Sequence, residues 1–310
     1  MRVLSFIRKN GFVLGLLAAF LLTDLLVARW DPLTNSMRFR KNDFTKTLSH
    51  HNWETSGRVF FGNSAVTGAY IEDQAEYPLV EMGLSYGKLT DLQQILDRSL
   101  YDFKDELVLG IDVHTMLDLM ETDPTYPWNS KRYQPYLYEY RDYFKETGTG
   151  MLKQILTSLR QSKPEEMFEY WAWNDKMLYF GEKPAEGPGS KQEDWLKYEQ
   201  RYNYMRMPDF QKNLNALEWV IDYTQAHQLE LKVVWMPYNP NYPLPGYMPE
   251  LKAEVDRILS EHHIPVLDLL DRFEPQYFHD LVHINRELGA PLFTKEVDKW
   301  LLSFEKRSNS

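Results

Sequence analysis

The chain has 310 residues, enough for one large domain or two small ones with a full hydrophobic core. Its formal charge is −10 at pH 7 and no basic stripe runs through it, which argues against a nucleic-acid partner. Cysteine is absent, so disulfides, thiolate catalysis and cysteine-bound metals are excluded together.

Residues 11–28, GFVLGLLAAFLLTDLLVA, form an apolar run behind Arg2, Arg8 and Lys9. The run reaches the lower end of the roughly 17–25 residues that span a bilayer, and no A-x-A cleavage site follows it. Residues 1–29 therefore read as an uncleaved membrane anchor, a buried soluble helix being the competing reading. Arg29, Arg38, Arg40 and Lys41 beyond the run weaken the charge asymmetry, but the basic start still favours an inside N-terminus and an extracellular body. Asp24 then falls near the outer end, where a charge reaches the interface at reduced cost. Residues 30–56 are polar and irregular and read as a tether.

From 57 to 310 the pattern changes. RVFFGN (58–63), EYPLVEMG (76–83) and ELVLGID (106–112) read as strands, and 88–100 has the leucine spacing of a helix. Farther on, a helix over 210–228 precedes a strand over 229–237, a helix over 249–263 and a strand over 264–270. The final helix covers about 286–304. This alternation predicts an α/β fold, a three-layer parallel sheet with helices on both faces.

Residues 121–209 interrupt the rhythm with aromatics interleaved with charge, and read as an inserted, mostly helical segment. Some of those rings must pack a small core. Others, with Trp128, Tyr133, Trp171 and Trp173 as candidates, would line a groove for sugars above the site.

The chemistry centres on FFGNS, which puts Ser64 at the carboxyl edge of the first strand, where open α/β sheets bind ligands. Serine there is either a nucleophile or an ordinary helix N-cap. A base and an orienting acid stand near the other end of the chain, Asp280 and His283, three residues apart in YFHDLVHINRELG. The N–H groups of Ser64 and Gly83 are candidate oxyanion donors. His50–His51 and His262–His263 are adjacent pairs without metal-site spacing and read as surface residues; no metal and no cofactor is expected. GNSAV carries Val66 where a nucleophile elbow needs glycine, which argues against the α/β-hydrolase fold.

Ser64 in a G-N-S context, Gly83 after the second strand and Asp280-x-x-His283 before the last helix resemble the SGNH (GDSL-like) hydrolase superfamily. More narrowly, the chain resembles its membrane-anchored branch, which includes the D-alanyl transfer protein of lipoteichoic acid synthesis and the alginate-type O-acetylation proteins. The resemblance covers roughly 57–120 and 210–305 and leaves the insertion out. It implies Ser64 as nucleophile, His283 as base and Asp280 as its orienter. It also implies an extracellular acyltransferase or esterase that modifies a cell-surface polysaccharide or teichoic acid beside a multi-spanning membrane-bound O-acyltransferase. The chain departs from the superfamily at the third strand, where Asp112 and His114 stand in place of an oxyanion-binding asparagine, and this tilts the reading toward transfer. Asn63, Asp112 and His114 join the four aromatic rings as candidate substrate-binding residues. The alternative from another class is a non-catalytic polymer-binding or accessory partner of the membrane acyltransferase.

Overall fold

A computed structural model describes residues 2–30, 43–51, 57–119, 124, 152, 155–165 and 180–308. The chain forms two compact units, Met1–Lys46 with Thr125–Asp175 and Thr47–Pro124 with Lys176–Ser310.

In the first unit, helix α1 (Arg2–Trp30) contains the 18-residue window Asn10–Val27, whose mean hydropathy is 2.0 and which is almost wholly exposed. Among the described residues it is the one helix long and apolar enough to cross a membrane, and a signal sequence has the same features. Asp24 differs from its neighbours in being buried.

The second unit is built on a five-stranded, all-parallel sheet in the order β2-β1-β3-β4-β5. Its strands are β1 (Arg58–Gly62), β2 (Val80–Gly83), β3 (Glu106–Ile111), β4 (Glu230–Trp235) and β5 (Val266–Asp268). Every residue of β3 is buried, as expected of a central strand covered on both faces. The helices are α3 (Ser64–Ala69), α4 (Leu89–Asp97), α5 (Lys191–Tyr202), α6 (Gln211–Ala226), α7 (Met248–Glu261) and α8 (Gly289–Ser308). Right-handed crossovers put α3, on the leftward connection from β1 to β2, on the opposite face from α4, α6 and α7. The packing agrees: α3 meets α8, and α4 meets α6. Phe60, Val108 and Val234 face α3 and α8 in one core with Val66, Phe293 and Val297. The alternate residues Phe61, Leu109 and Val233 are buried on the other face.

The tether needs correcting. Residues 43–50 form helix α2 (Asp43–His50). Its Leu48 is buried and the Thr47 hydroxyl donates to the Gly83 carbonyl at 3.2 Å. His51 is no surface residue either, for Nδ1 bonds the Thr47 carbonyl at 2.8 Å and Nε2 the Glu72 carboxylate at 2.9 Å. The 121–209 insertion is not one block: α5 lies within it and belongs to the unit that carries the sheet.

Two glycines seat the short helix that follows β1. A Cβ on Gly62 would lie 2.4 Å from Val66 Cγ2, and one on Gly110 would lie 2.3 Å from the same atom. Only bare backbone at both positions lets Val66 drop onto the strands and fix the start of α3 at the sheet's carboxyl edge. Gly110→Ala should lower stability by about 1–3 kcal/mol through overpacking. Urea denaturation of the full chain in detergent measures this, and an unchanged midpoint would contradict the seating argument.

Candidate active site

The residue before α3 decides what Ser64 is. Asn63, not Ser64, is the N-cap: with φ −96° and ψ −161° its side-chain oxygen accepts from the Ala65 N–H at 2.8 Å. Ser64 is the first helical residue, and its hydroxyl lies 2.8 Å from His283 Nε2.

His283 and Asp280 share the loop before α8. Asp280 Oδ2 is 2.7 Å from His283 Nδ1, while Oδ1 accepts the N–H groups of Val282 at 3.0 Å and His283 at 2.8 Å. Both hydrogen bonds of the ring are thereby defined: Nδ1–H donates to the carboxylate, and Nε2 accepts from Ser64. The fully buried Asn239 fastens the loop to the end of β4, its side chain donating to the Asp280 carbonyl at 3.0 Å and its N–H to Leu281 at 2.9 Å. Phe180 lies flat on the imidazole, centroids 4.2 Å apart and planes 12° apart. Gly68 leaves room for that ring, since a Cβ there would sit 2.4 Å from Phe180 Cδ2.

Burial alone would raise the Asp280 carboxyl, but the His283 charge and the N–H groups aimed at it hold it well below the usual carboxylate range. For His283, burial pulls downward, and the charge and hydrogen bond of Asp280 outweigh it, so the imidazole is raised above its ordinary value. His114 goes the other way: burial lowers it, Asp112 opposes this only in part, and the His283 charge lowers it further.

At the end of β3, Asp112 Oδ1 accepts from the His114 and Thr115 N–H groups, the Thr115 hydroxyl and the Asn63 amide, each at 2.8 Å. Oδ2 faces His114 Nδ1 at 3.7 Å. Among the described residues, Asp112 Oδ2 and His114 Nε2 are buried without a hydrogen-bond partner. The His114 ring packs edge-on against Tyr198 at 4.5 Å and Tyr202 at 5.8 Å, both from α5.

Ser64, His114 and His283 open into one cavity of about 600 Å³. Tyr198 and Tyr202 line another side, and the turn after β2 contributes Tyr86 and Lys88. Tyr86 has φ +55°, the left-handed region that non-glycine residues seldom occupy, and its ring is exposed at the cavity.

Two candidates change role. Gly83 offers no free donor, because its N–H is held by its neighbour Glu81 Oε1 at 2.5 Å; the buried carboxylate folds back along the strand to satisfy itself there. Asn63 borders the cavity, but its amide is engaged by α3 and Asp112 and serves the scaffold. The Ser64 N–H makes no hydrogen bond among the described residues. Trp128, Tyr133, Trp171 and Trp173 lie outside the described residues. The insertion does border the cavity, through Tyr198 and Tyr202 instead. Sequence reasoning missed these two, Phe180 and Asn239, since none carries a local pattern that points to Ser64. Among the described residues no His, Asp and Glu cluster suited to a metal occurs.

No family model and no curated protein matches the chain. Among solved structures it is similar to one described as "a putative platelet activating factor from Streptococcus pneumonia", with 13% identity, 94% of this chain and 99% of that chain covered, and a TM-score of 0.41.

The raised His283 has a measurable consequence. Its imidazole should titrate above the ordinary value, and Asp280→Asn, which removes the charge that favours the imidazolium, should move it down. NMR titration of the ring protons, assigned with His283→Gln, reads both. An intact chain titrating at or below the ordinary value would contradict the pairing.

Proposed function

We propose that this chain is a membrane-anchored, extracellular serine acyltransferase or esterase of SGNH type, acting on a cell-surface polymer in an O-acetylation or D-alanylation reaction. One observation carries the reading: a connected line from Ser64 Oγ through His283 to Asp280, with links of 2.8 and 2.7 Å, opening into a cavity.

Ser64 attacks the carbonyl carbon of an acyl donor while its proton passes to His283 Nε2. The tetrahedral intermediate collapses, and the imidazolium returns the proton to the departing group. A hydroxyl of the polymer, or water, then attacks the acyl-enzyme, gives its proton to His283, and Ser64 is released with that proton. Asp280 keeps the ring in the required tautomer and stabilises the imidazolium. The Ser64 N–H serves as an oxyanion donor; Gly83 does not, since Glu81 holds its N–H. No cofactor enters this scheme.

The apolar helix α1 supports the membrane placement, and the basic residues Arg2, Arg8 and Lys9 support an inside N-terminus with the sheet-bearing unit outside. A multi-spanning membrane-bound O-acyltransferase is the partner that would deliver the acyl group.

A second reading is favoured by the shortage of oxyanion donors: Gly83 is engaged, and β3 is followed by Asp112 where an asparagine would help. In it the chain binds polymer or supports the acyltransferase without catalysis.

The full chain in detergent, offered acetyl and D-alanyl donors and quenched in acid, should carry the acyl group on Ser64 by peptide mass spectrometry. Ser64→Ala and His283→Ala should each reduce turnover by roughly 10⁴-fold or more, and together by no more than either alone. An unacylated Ser64 with every donor, in a chain that still binds polymer, would establish the second reading.

A further inference from the structure

We propose that the leucine face of the helix over 155–160 lies in the membrane interface, with Arg160 and Lys163 at the lipid headgroups, so that the chain meets its bilayer at two places. The proposal rests on the membrane placement of α1 and is independent of the acyl-transfer chemistry.

Leu152 and residues 155–160 are helical, and they belong to the same compact unit as α1. At helical spacing Leu152, Leu156 and Leu159 fall on one face. All three are exposed, at 60%, 66% and 57%. Ser158, by contrast, is buried. The usual arrangement is reversed: a hydroxyl packs inward and the leucines point out. One exposed leucine needs no explanation, but three on one face mark a surface that meets something apolar.

Charge decides which partner suits that face. The stretch MLKQILTSLRQSKP, residues 151–164, carries Lys153, Arg160 and Lys163 and no acid, in a chain whose net charge is −10. Arg160 and Lys163 are exposed. Ser162, at φ +57°, turns the chain, and the Lys163 N–H donates back to the Ser158 carbonyl at 2.9 Å, so Lys163 stays at the end of the helix. An apolar face flanked by basic side chains suits the boundary of a bilayer, where leucines enter the acyl region and cations meet phosphate. A second copy of the same face would bring these cations against one another.

The unit itself supplies the reason for lipid to be the occupant. The window Asn10–Val27 of α1 is exposed over almost its whole length and is long enough to cross a bilayer. A lone spanning helix fixes depth but leaves rotation about its own axis free. A second contact in the interface restricts that rotation.

The chain has no cysteine, so Leu156→Cys and Leu17→Cys each give a single labelling site. Each full-length variant carries a nitrobenzoxadiazole label and is reconstituted into phosphatidylcholine vesicles with or without phosphatidylglycerol. Phosphatidylcholine bearing a nitroxide on its acyl chain quenches labels that touch lipid. The label at position 17 should be quenched deep in the bilayer. The label at position 156 should be quenched as well, about 5–10 Å into the boundary between headgroups and acyl chains. In vesicles with phosphatidylglycerol, Arg160→Gln and Lys163→Gln should each lower the inserted population at 156, relative to the water-exposed one, by about fivefold. A label at 156 that stays in water while that at 17 is quenched overturns the proposal and leaves the anchor standing. A label at 156 shielded from water yet untouched by nitroxide lipid overturns it too, since the face then meets protein. Insertion at 156 that ignores both phosphatidylglycerol and the loss of the two charges overturns the headgroup assignment. A label at 17 that no lipid quenches takes down the membrane placement and the proposal with it.

Discussion

The hydrogen bond between Ser64 and His283 joins positions 219 residues apart, and much of the sheet-bearing unit acts to hold its two ends in place. One end hangs on β1 and α3, through the Val66 seat over Gly62 and Gly110. The other hangs on the loop before α8, fastened by Asn239 and roofed by Phe180. The helices that carry the two ends, α3 and α8, pack on the same face of the sheet around Phe60 and Phe293. The core is therefore also what sets the distance between Ser64 and His283.

Burial gives the site its character. Desolvation works against both charged partners, raising an acid and lowering an imidazole, yet Asp280 stays low and His283 rises. Pairing outweighs burial there because carboxylate and ring meet at 2.7 Å and two backbone N–H groups complete the carboxylate. Asp112 and His114 have the same two residue types at 3.7 Å, with all of the carboxylate's hydrogen-bond donors on the far oxygen, and at His114 burial wins. The two histidines that line the cavity, each beside an aspartate, thus shift in opposite directions.

The order of strands and helices was legible because a parallel sheet covered on both faces demands apolar runs such as VFFG and LVLGI, and helices demand the spacing seen over 88–100. That Ser64, Asp280 and His283 meet was legible because a nucleophilic serine would need those residue types at strand edges and one turn apart. The fate of Gly83 was not, because it depends on which way the Glu81 side chain folds. Nor was that of Asn63, since capping a helix and binding a substrate ask for the same amide. Phe180, Tyr198 and Tyr202 reach the site only through tertiary packing, and α2 hid in a short polar stretch whose buried Phe44 and Leu48 are too few to show a period.

The central claim is that His283 makes Ser64 a nucleophile. Reaction of the full chain with a fluorophosphonate, followed by peptide mapping, tests it most directly. The account predicts one label per chain, on Ser64, and loss of nearly all labelling in His283→Ala while the fold persists. Labelling of Ser64 that continues undiminished without His283, or a label that settles on a different serine, would contradict it.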